Sequence, residues 1–271
     1  MTIPMPAEVT GLTTIALHRP EEHVLLVTLD RPEARNAMNT QMGLDLMAVF
    51  ERMQVTTDGA RCIVMTGQGD KAFCAGGDLK ERRGMSDEMW QTQHAIFERM
   101  VRSLVGCPIP VIAAVNGAAY GGGCEIAAAC DFVYASTNAR FALTEVTLGI
   151  MPGAGGTQNM ARAMGARRAK EVLLTGSPFT AEEGERWGLV NRVCQPDDLV
   201  PAAVETAKRI ATNAPISTRQ IKQSINRGLD MSLWDGLAYE IEAYNRMVPT
   251  QDRSEGVNAF NEKRTPSFVG R

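Results

Sequence analysis

"PVIAAVNGAAYGGGCEIAAACDFVYAS" (residues 110–136) changes character three times within one short stretch. It opens on an apolar run, 110–115, that reads as a buried strand. It then passes through Gly121, Gly122 and Gly123 into an alanine-rich segment that favours a helix and carries one carboxylate, Glu125. It closes on "DFVYAS" (131–136), a second strand. Strand, glycine-rich turn, helix and strand in succession are the mark of α/β construction.

The same texture extends on both sides. "HVLLVTLD" (23–30) and "RCIVMTG" (61–67) read as further strands. Between them, Met42, Leu46, Val49, Phe50 and Met53 fall at helical spacing. Ser86 and Asp87 are placed to cap a helix whose inward stripe is Met89, Ile96, Phe97, Met100 and Leu104. "TAEE" (180–183) has the spacing of a capping box. From about residue 198 glycine thins out and amphipathic helices dominate, over 200–212, 217–227, 232–248 and 254–263. The expected organisation is therefore an α/β core over 1–197 and a helical region over 198–271.

Composition narrows the function. The chain has 271 residues, 44% hydrophobic and 22% charged, with a net charge of -3 and no long basic block, which disfavours nucleic acid as a partner. Its six cysteines form no C-x-x-C pair and sit in apolar runs, so they read as core residues of a chain in a reducing compartment. The opening residues lack a basic segment followed by an apolar one, and no window is long enough to span a membrane. The expected location is the cytoplasm. His18, His23 and His94 show no metal-ligand spacing, so no metal is expected.

Three glycine-rich segments concentrate the chemistry: "FCAGGD" (73–78), "YGGGCE" (120–125) and "MPGAGGT" (151–157). None is a phosphate-binding loop of the G-x-x-x-x-G-K-[ST] kind. A helix start bares N–H groups at its positive end, and a residue without Cβ lets a ligand oxygen come close to them. Two such amides aimed at one point make an oxyanion hole; Gly77 and Gly122 are the candidate pair. For one loop alone, a plain tight turn is the commoner explanation. Glu125 lies one helical turn after Gly122, and Glu145 follows in "FALTEVTLGIMPGAGG" after a strand that could bring it back. A lone glutamate is more often a solvated surface acid. Two close carboxylates in an apolar pocket would instead hold one proton between them and supply a general acid and a general base.

"FCAGGDLKE", "PVIAAVNGAAYGGGCEIAAACD" and "LTEVTLGIMPGAGGTQ", in that order, resemble the crotonase family and, within it, the enoyl-CoA hydratases. The likeness runs from about "LDRPEARNAM" to "AFNEKRTPSF", nearly the whole chain. It implies a spiral of β-β-α repeats with a C-terminal helical region used in forming a homotrimer or a dimer of trimers. The implied reaction is reversible syn hydration of a trans-2-enoyl-CoA. Gly77 and Gly122 match the donors to the thioester oxygen, Glu125 and Glu145 the two hydratase acids, and Gly153 a glycine of the active-site wall. Ala34, Arg35, Ala75, Asp78 and Leu79 match segments that contact CoA. Phe260 and Lys263 match the aromatic and the lysine that reach its nucleotide end, often from a neighbouring subunit. CoA is part of the substrate, so no separate cofactor is implied. Isomerases of the family typically lack an acid at the Glu125 position, which favours hydration here. "DLKERRGMS" resembles the branch that takes branched or acidic acyl groups, such as methylglutaconyl-CoA. An RNA-binding protein on the same fold is the non-enzymatic alternative. Met85, Trp90 and Met151 are candidates both for the acyl pocket and for the core.

Overall fold

The computed structural model describes residues 11–271. The expectation of no targeting segment rests partly on residues 1–10, which lie outside the described residues.

The chain begins with an antiparallel hairpin, β1 (Ile15–Glu21) and β2 (Val24–Leu29), and crosses through α1 (Thr40–Val55). Three units of similar plan follow. The first is β3 (Cys62–Gly67), a short β4 (Ala72–Cys74), and the helices α2 (Leu79–Arg82) and α3 (Asp87–Val105). The second is β5 (Val111–Val115), β6 (Ala118–Tyr120) and α4 (Gly122–Ala129). The third is β7 (Phe132–Ser136), β8 (Arg140–Ala142), a 3-10 turn at Glu145–Leu148, and the helices α5 (Gly156–Met164) and α6 (Ala166–Thr175). A closing segment adds β9 (Phe179–Thr180), α7 (Ala181–Trp187) and β10 (Arg192–Cys194). Helices α8 (Pro196–Ala211), α9 (Pro215–Gly228), α10 (Leu233–Asn245) and α11 (Gln251–Glu262) complete the chain.

Each unit contributes one longer strand to a six-stranded sheet, ordered β1-β2-β3-β5-β7-β10, and one short strand to a four-stranded sheet, ordered β4-β6-β8-β9. The neighbours β3, β5 and β7 are parallel, as are β4, β6 and β8. The chain thus advances by one strand in both sheets with every turn, which is a spiral.

The inner strands β2, β3 and β5 of the larger sheet are buried on both faces, which is why they read as continuous apolar runs. Leu25, Val27, Ile63, Met65, Val111 and Ala113 point into the main core, with α1 and α3. Val24, Cys62, Val64, Ile112 and Ala114 point the other way, against Leu199, Ala203, Ala207 and Ala211 of α8. The first helix of the expected 198–271 region is therefore packed on the sheet. Beyond it, α9 and α10 leave Ile221, Ile225, Leu229, Leu233, Trp234, Leu237, Ile241 and Tyr244 exposed.

The expected caps are present. Ser86 Oγ accepts from the Met89 N–H at 3.2 Å, and Thr180 and Glu183 make the reciprocal capping box. One member of the α3 stripe is different: Met89 is exposed, whereas Phe97, Met100 and Leu104 are buried. The first turns of α3 face a cavity, through Trp90, Gln91 and His94, so the packed stripe begins only farther along the helix.

Candidate active site

The cavity has a volume of about 730 Å³ and is lined by residues from all three units and from the 151–154 loop. Its centre is the start of α4. After β6 the chain turns at Gly121 with φ 49° and ψ -123°, backbone angles that suit only glycine. The Gly121 N–H donates to the Ala142 carbonyl at 2.8 Å, which joins the turn to β8. Gly122 is the first helical residue. Its N–H has no acceptor among the described residues.

Gly77 is fixed from the other side by a parallel bridge to Met38. The Met38 N–H donates to the Gly76 carbonyl at 2.7 Å, and the Asp78 N–H to the Met38 carbonyl at 2.9 Å. In a parallel bridge the two flanking peptides make the bonds, so the Gly77 N–H is directed away from Met38. It too has no acceptor among the described residues. A Cβ built on Gly122 would lie 3.9 Å from the Gly77 nitrogen, so the two donors are neighbours in space. Both residues line the cavity.

Both acids line it as well. Glu125 is 3% exposed. Its Oε1 accepts from the N–H groups of Ala154 (2.8 Å) and Gly156 (2.9 Å), which gives "MPGAGGT" a physical role: its backbone holds the carboxylate. Burial is the main cause raising the Glu125 pKa to about 7, and the Glu145 charge adds to it against the pull of the two amides. Glu145 starts the 3-10 turn after β8. Its pKa is raised, chiefly by burial, and its Oε2 is buried without a hydrogen-bond partner among the described residues. A Cβ on Gly121 would stand 3.2 Å from the Glu145 Oε1, so this acid reaches the start of α4. The topology thus brings together two acids separated by the rest of α4 and two strands, β7 and β8.

Gly153 also lines the cavity, where any Cβ would collide with the His94 ring. Ala75 and Leu79 lie on the wall, and the Ala75 N–H donates to the Arg35 carbonyl at 3.1 Å, which places the Ala34–Arg35 turn beside it. The Asp78 carboxylate is engaged by Arg31 (3.0 Å) and by the N–H groups of Lys80 and Glu81, so it caps α2. Despite burial, those bonds hold its pKa below the usual carboxylate value. Phe260 and Lys263 lie on and just after α11, and neither lines the cavity within the single chain. Trp90 and Met151 line it; Met85 does not.

Sequence reading missed Arg82. Its guanidinium stands over the Trp90 ring, 4.4 Å from the centroid, inside the cavity, whereas Arg83 beside it is exposed. Nothing local distinguishes the two. Among the described residues no group of three or more His, Cys, Asp or Glu side chains is placed to hold a metal. No helix of the described residues is long and apolar enough to cross a membrane.

Comparison with known proteins identifies the family and the fold. The family model for enoyl-CoA hydratase/isomerase matches residues 19–271. The short-chain-enoyl-CoA hydratase of Clostridium acetobutylicum is 40% identical over 244 residues, which is 90% of this chain and 93% of that protein. The 2,3-dehydroadipyl-CoA hydratase of Escherichia coli is 39% identical over 253 residues, covering 93% and 97%. The crystal structure of an enoyl-CoA hydratase from Bacillus anthracis superposes with a TM-score of 0.94 at 40% identity, covering 96% of this chain and all of that one.

Proposed function

The chain belongs to the enoyl-CoA hydratase/isomerase family, the crotonases, and has their fold; from its site we propose that it catalyses reversible syn addition of water to a trans-2-enoyl-CoA, giving the 3-hydroxyacyl-CoA. The thioester oxygen accepts from the Gly77 and Gly122 amides. Glu125, ionised, takes a proton from water as the water oxygen bonds to Cβ. The electron pair of the alkene moves towards the thioester, and the amide pair stabilises the enolate-like charge. One donor of this kind is typically worth about 3 kcal/mol of barrier. Glu145, protonated, delivers its proton to Cα. The net change is one water added, and the proton then returns from Glu125 to Glu145 through solvent.

The observation that carries this reading is the pair of buried carboxylates beside two amides, Gly77 after β4 and Gly122 at the start of α4, that have no acceptor among the described residues. An isomerase needs only one acid to shuttle a proton, so an amide-held, buried second acid favours hydration. The reaction as proposed requires no resident cofactor. CoA would lie along Ala34, Arg35, Ala75, Asp78 and Leu79, with Phe260 and Lys263 closing over its nucleotide end from a neighbouring subunit. A homotrimer or dimer of trimers would cover the apolar side chains that α9 and α10 expose. The six buried free cysteines suit a reducing compartment, and we assign the protein to the cytoplasm. Loss of the enoyl-thioester ultraviolet absorbance on adding purified protein to crotonyl-CoA tests the reading. Turnover supports it. RNA binding without turnover would favour the non-enzymatic alternative.

A further inference from the structure

Among the described residues, Arg82 is a cation without a paired anion. It is half-buried on the cavity wall, and burial lowers its pKa. No carboxylate lies within 4.0 Å of its guanidinium among the described residues, although Glu81, Glu125 and Glu145 all act on it from farther away. A desolvated guanidinium is costly unless something pairs with it. Two features show that its position is built rather than incidental. Its Nε donates to Gln93 Oε1 at 2.8 Å, and Gln93 is itself 3% exposed and anchored through Nε2 to Thr40 Oγ1 and Glu81 Oε2, both at 2.8 Å. The guanidinium plane also rests on Trp90 and lies 5.7 Å from the Phe97 centroid. These contacts fix the side chain through Nε and one face. The two terminal nitrogens have no protein acceptor among the described residues, and they form the fork that suits a carboxylate.

The fork is also well placed. A Cβ on Gly77 would lie 3.4 Å from Arg82 Cζ and Nη1, so the cation stands next to the proposed oxyanion hole, at the acyl end of the site. With two acids already in the cavity, a carboxylate on the acyl group would be repelled unless a cation met it.

We propose that Arg82 is a specificity-determining residue that binds a carboxylate on the acyl group, so that the preferred substrates are short trans-2-enoyl-CoA esters with a carboxylate beyond Cβ. This rests on the hydration reading for its chemistry, but not for its binding step. A cation recruited instead to the CoA phosphates would act alike on charged and neutral acyl groups.

The test compares glutaconyl-CoA, which carries such a carboxylate, with neutral crotonyl-CoA. For the wild-type protein kcat/KM is expected to favour glutaconyl-CoA. Arg82→Met is expected to lower the glutaconyl-to-crotonyl ratio about 100-fold, and Arg82→Lys by less, because it keeps the charge and loses the fork. An unchanged ratio in Arg82→Met, or a wild-type preference for crotonyl-CoA, overturns the proposal. Calorimetric affinities of the saturated pair, glutaryl-CoA and butyryl-CoA, repeat the comparison without turnover. Tighter glutaryl-CoA binding that depends on Arg82 supports the proposal even if neither enoyl ester is hydrated, an outcome that would sink only the hydration reading. Equal affinities overturn it.

Discussion

The amide nitrogen of Gly77 lies 3.9 Å from the point where a Cβ on Gly122 would sit. These residues are far apart in the chain and are held by different devices, the Met38 bridge for one and the start of α4 for the other. Their closeness is a product of the spiral, which stacks β4 beside β6 and so aligns the loops that follow them.

That stacking has a tight point. A Cβ on Gly123 would run into the carbonyl oxygen of Cys74, which belongs to the backbone of β4 and cannot rotate away. Gly123→Ala is expected to push α4 off β4, destabilising the fold by about 2 kcal/mol or more and displacing the Gly122 amide. A lower denaturation midpoint together with a lower kcat is the expected result; a variant with wild-type values for both would show that the contact yields.

The raised Glu125 pKa sets the pH dependence. The hydrating base must be ionised, and Glu125 protonates as pH falls through about 7. kcat/KM for hydration is therefore expected to decline about tenfold per pH unit below that point. The apparent value belongs to the coupled acids rather than to Glu125 alone. A profile that is flat from about pH 5 to 8 would contradict an ionised base of this kind.

Stability should respond in the opposite sense. Because its folded pKa lies above the ordinary 4.5, Glu125 binds its proton more tightly in the folded chain. Its ionisation then costs stability above about pH 7, and the cost vanishes as pH falls towards 4.5. Glu125→Gln is expected to be more stable than wild type at pH 8, by on the order of 2 kcal/mol, with the gap closing in acid. Urea denaturation at both ends of this range checks it; a variant less stable at pH 8 would show that the carboxylate is net stabilising.

Much of this arrangement was legible beforehand, for physical reasons. β2, β3, β5 and β7 announce themselves because burial on both faces demands unbroken apolar runs. β4, β6, β8 and β9 are two or three residues long, "AFC", "AAY", "RFA" and "FT", too short for any periodicity; pairing with one another makes them strands. The spiral itself therefore came only from the family resemblance. Glu125 and Gly122 could be linked because both lie on one helix turn. Arg82 could not be told from Arg83, since Trp90 and Gln93, which set it apart, reach it only in the folded chain. Met89 fits the stripe by spacing and is nonetheless exposed, because spacing does not reveal where a helix leaves the core for a cavity wall.

A change at Lys263 tests the proposed nucleotide end apart from the acyl end. Lys263 ends α11 with φ 55° and lies outside the cavity of its own chain. If it reaches a neighbour's CoA, Lys263→Ala should raise KM for CoA esters several-fold and leave KM for the matching pantetheine thioesters near wild type. Equal changes for both esters would remove it from nucleotide binding.

Steady-state hydration of crotonyl-CoA by Glu125→Gln and Glu145→Gln, measured beside the affinity of each variant for butyryl-CoA, probes the shared use of the two acids. Each variant is expected to lose about a thousandfold or more in kcat while holding the saturated thioester about as well as wild type. Near-normal turnover in either one would show that a single carboxylate suffices and that water is activated by something else.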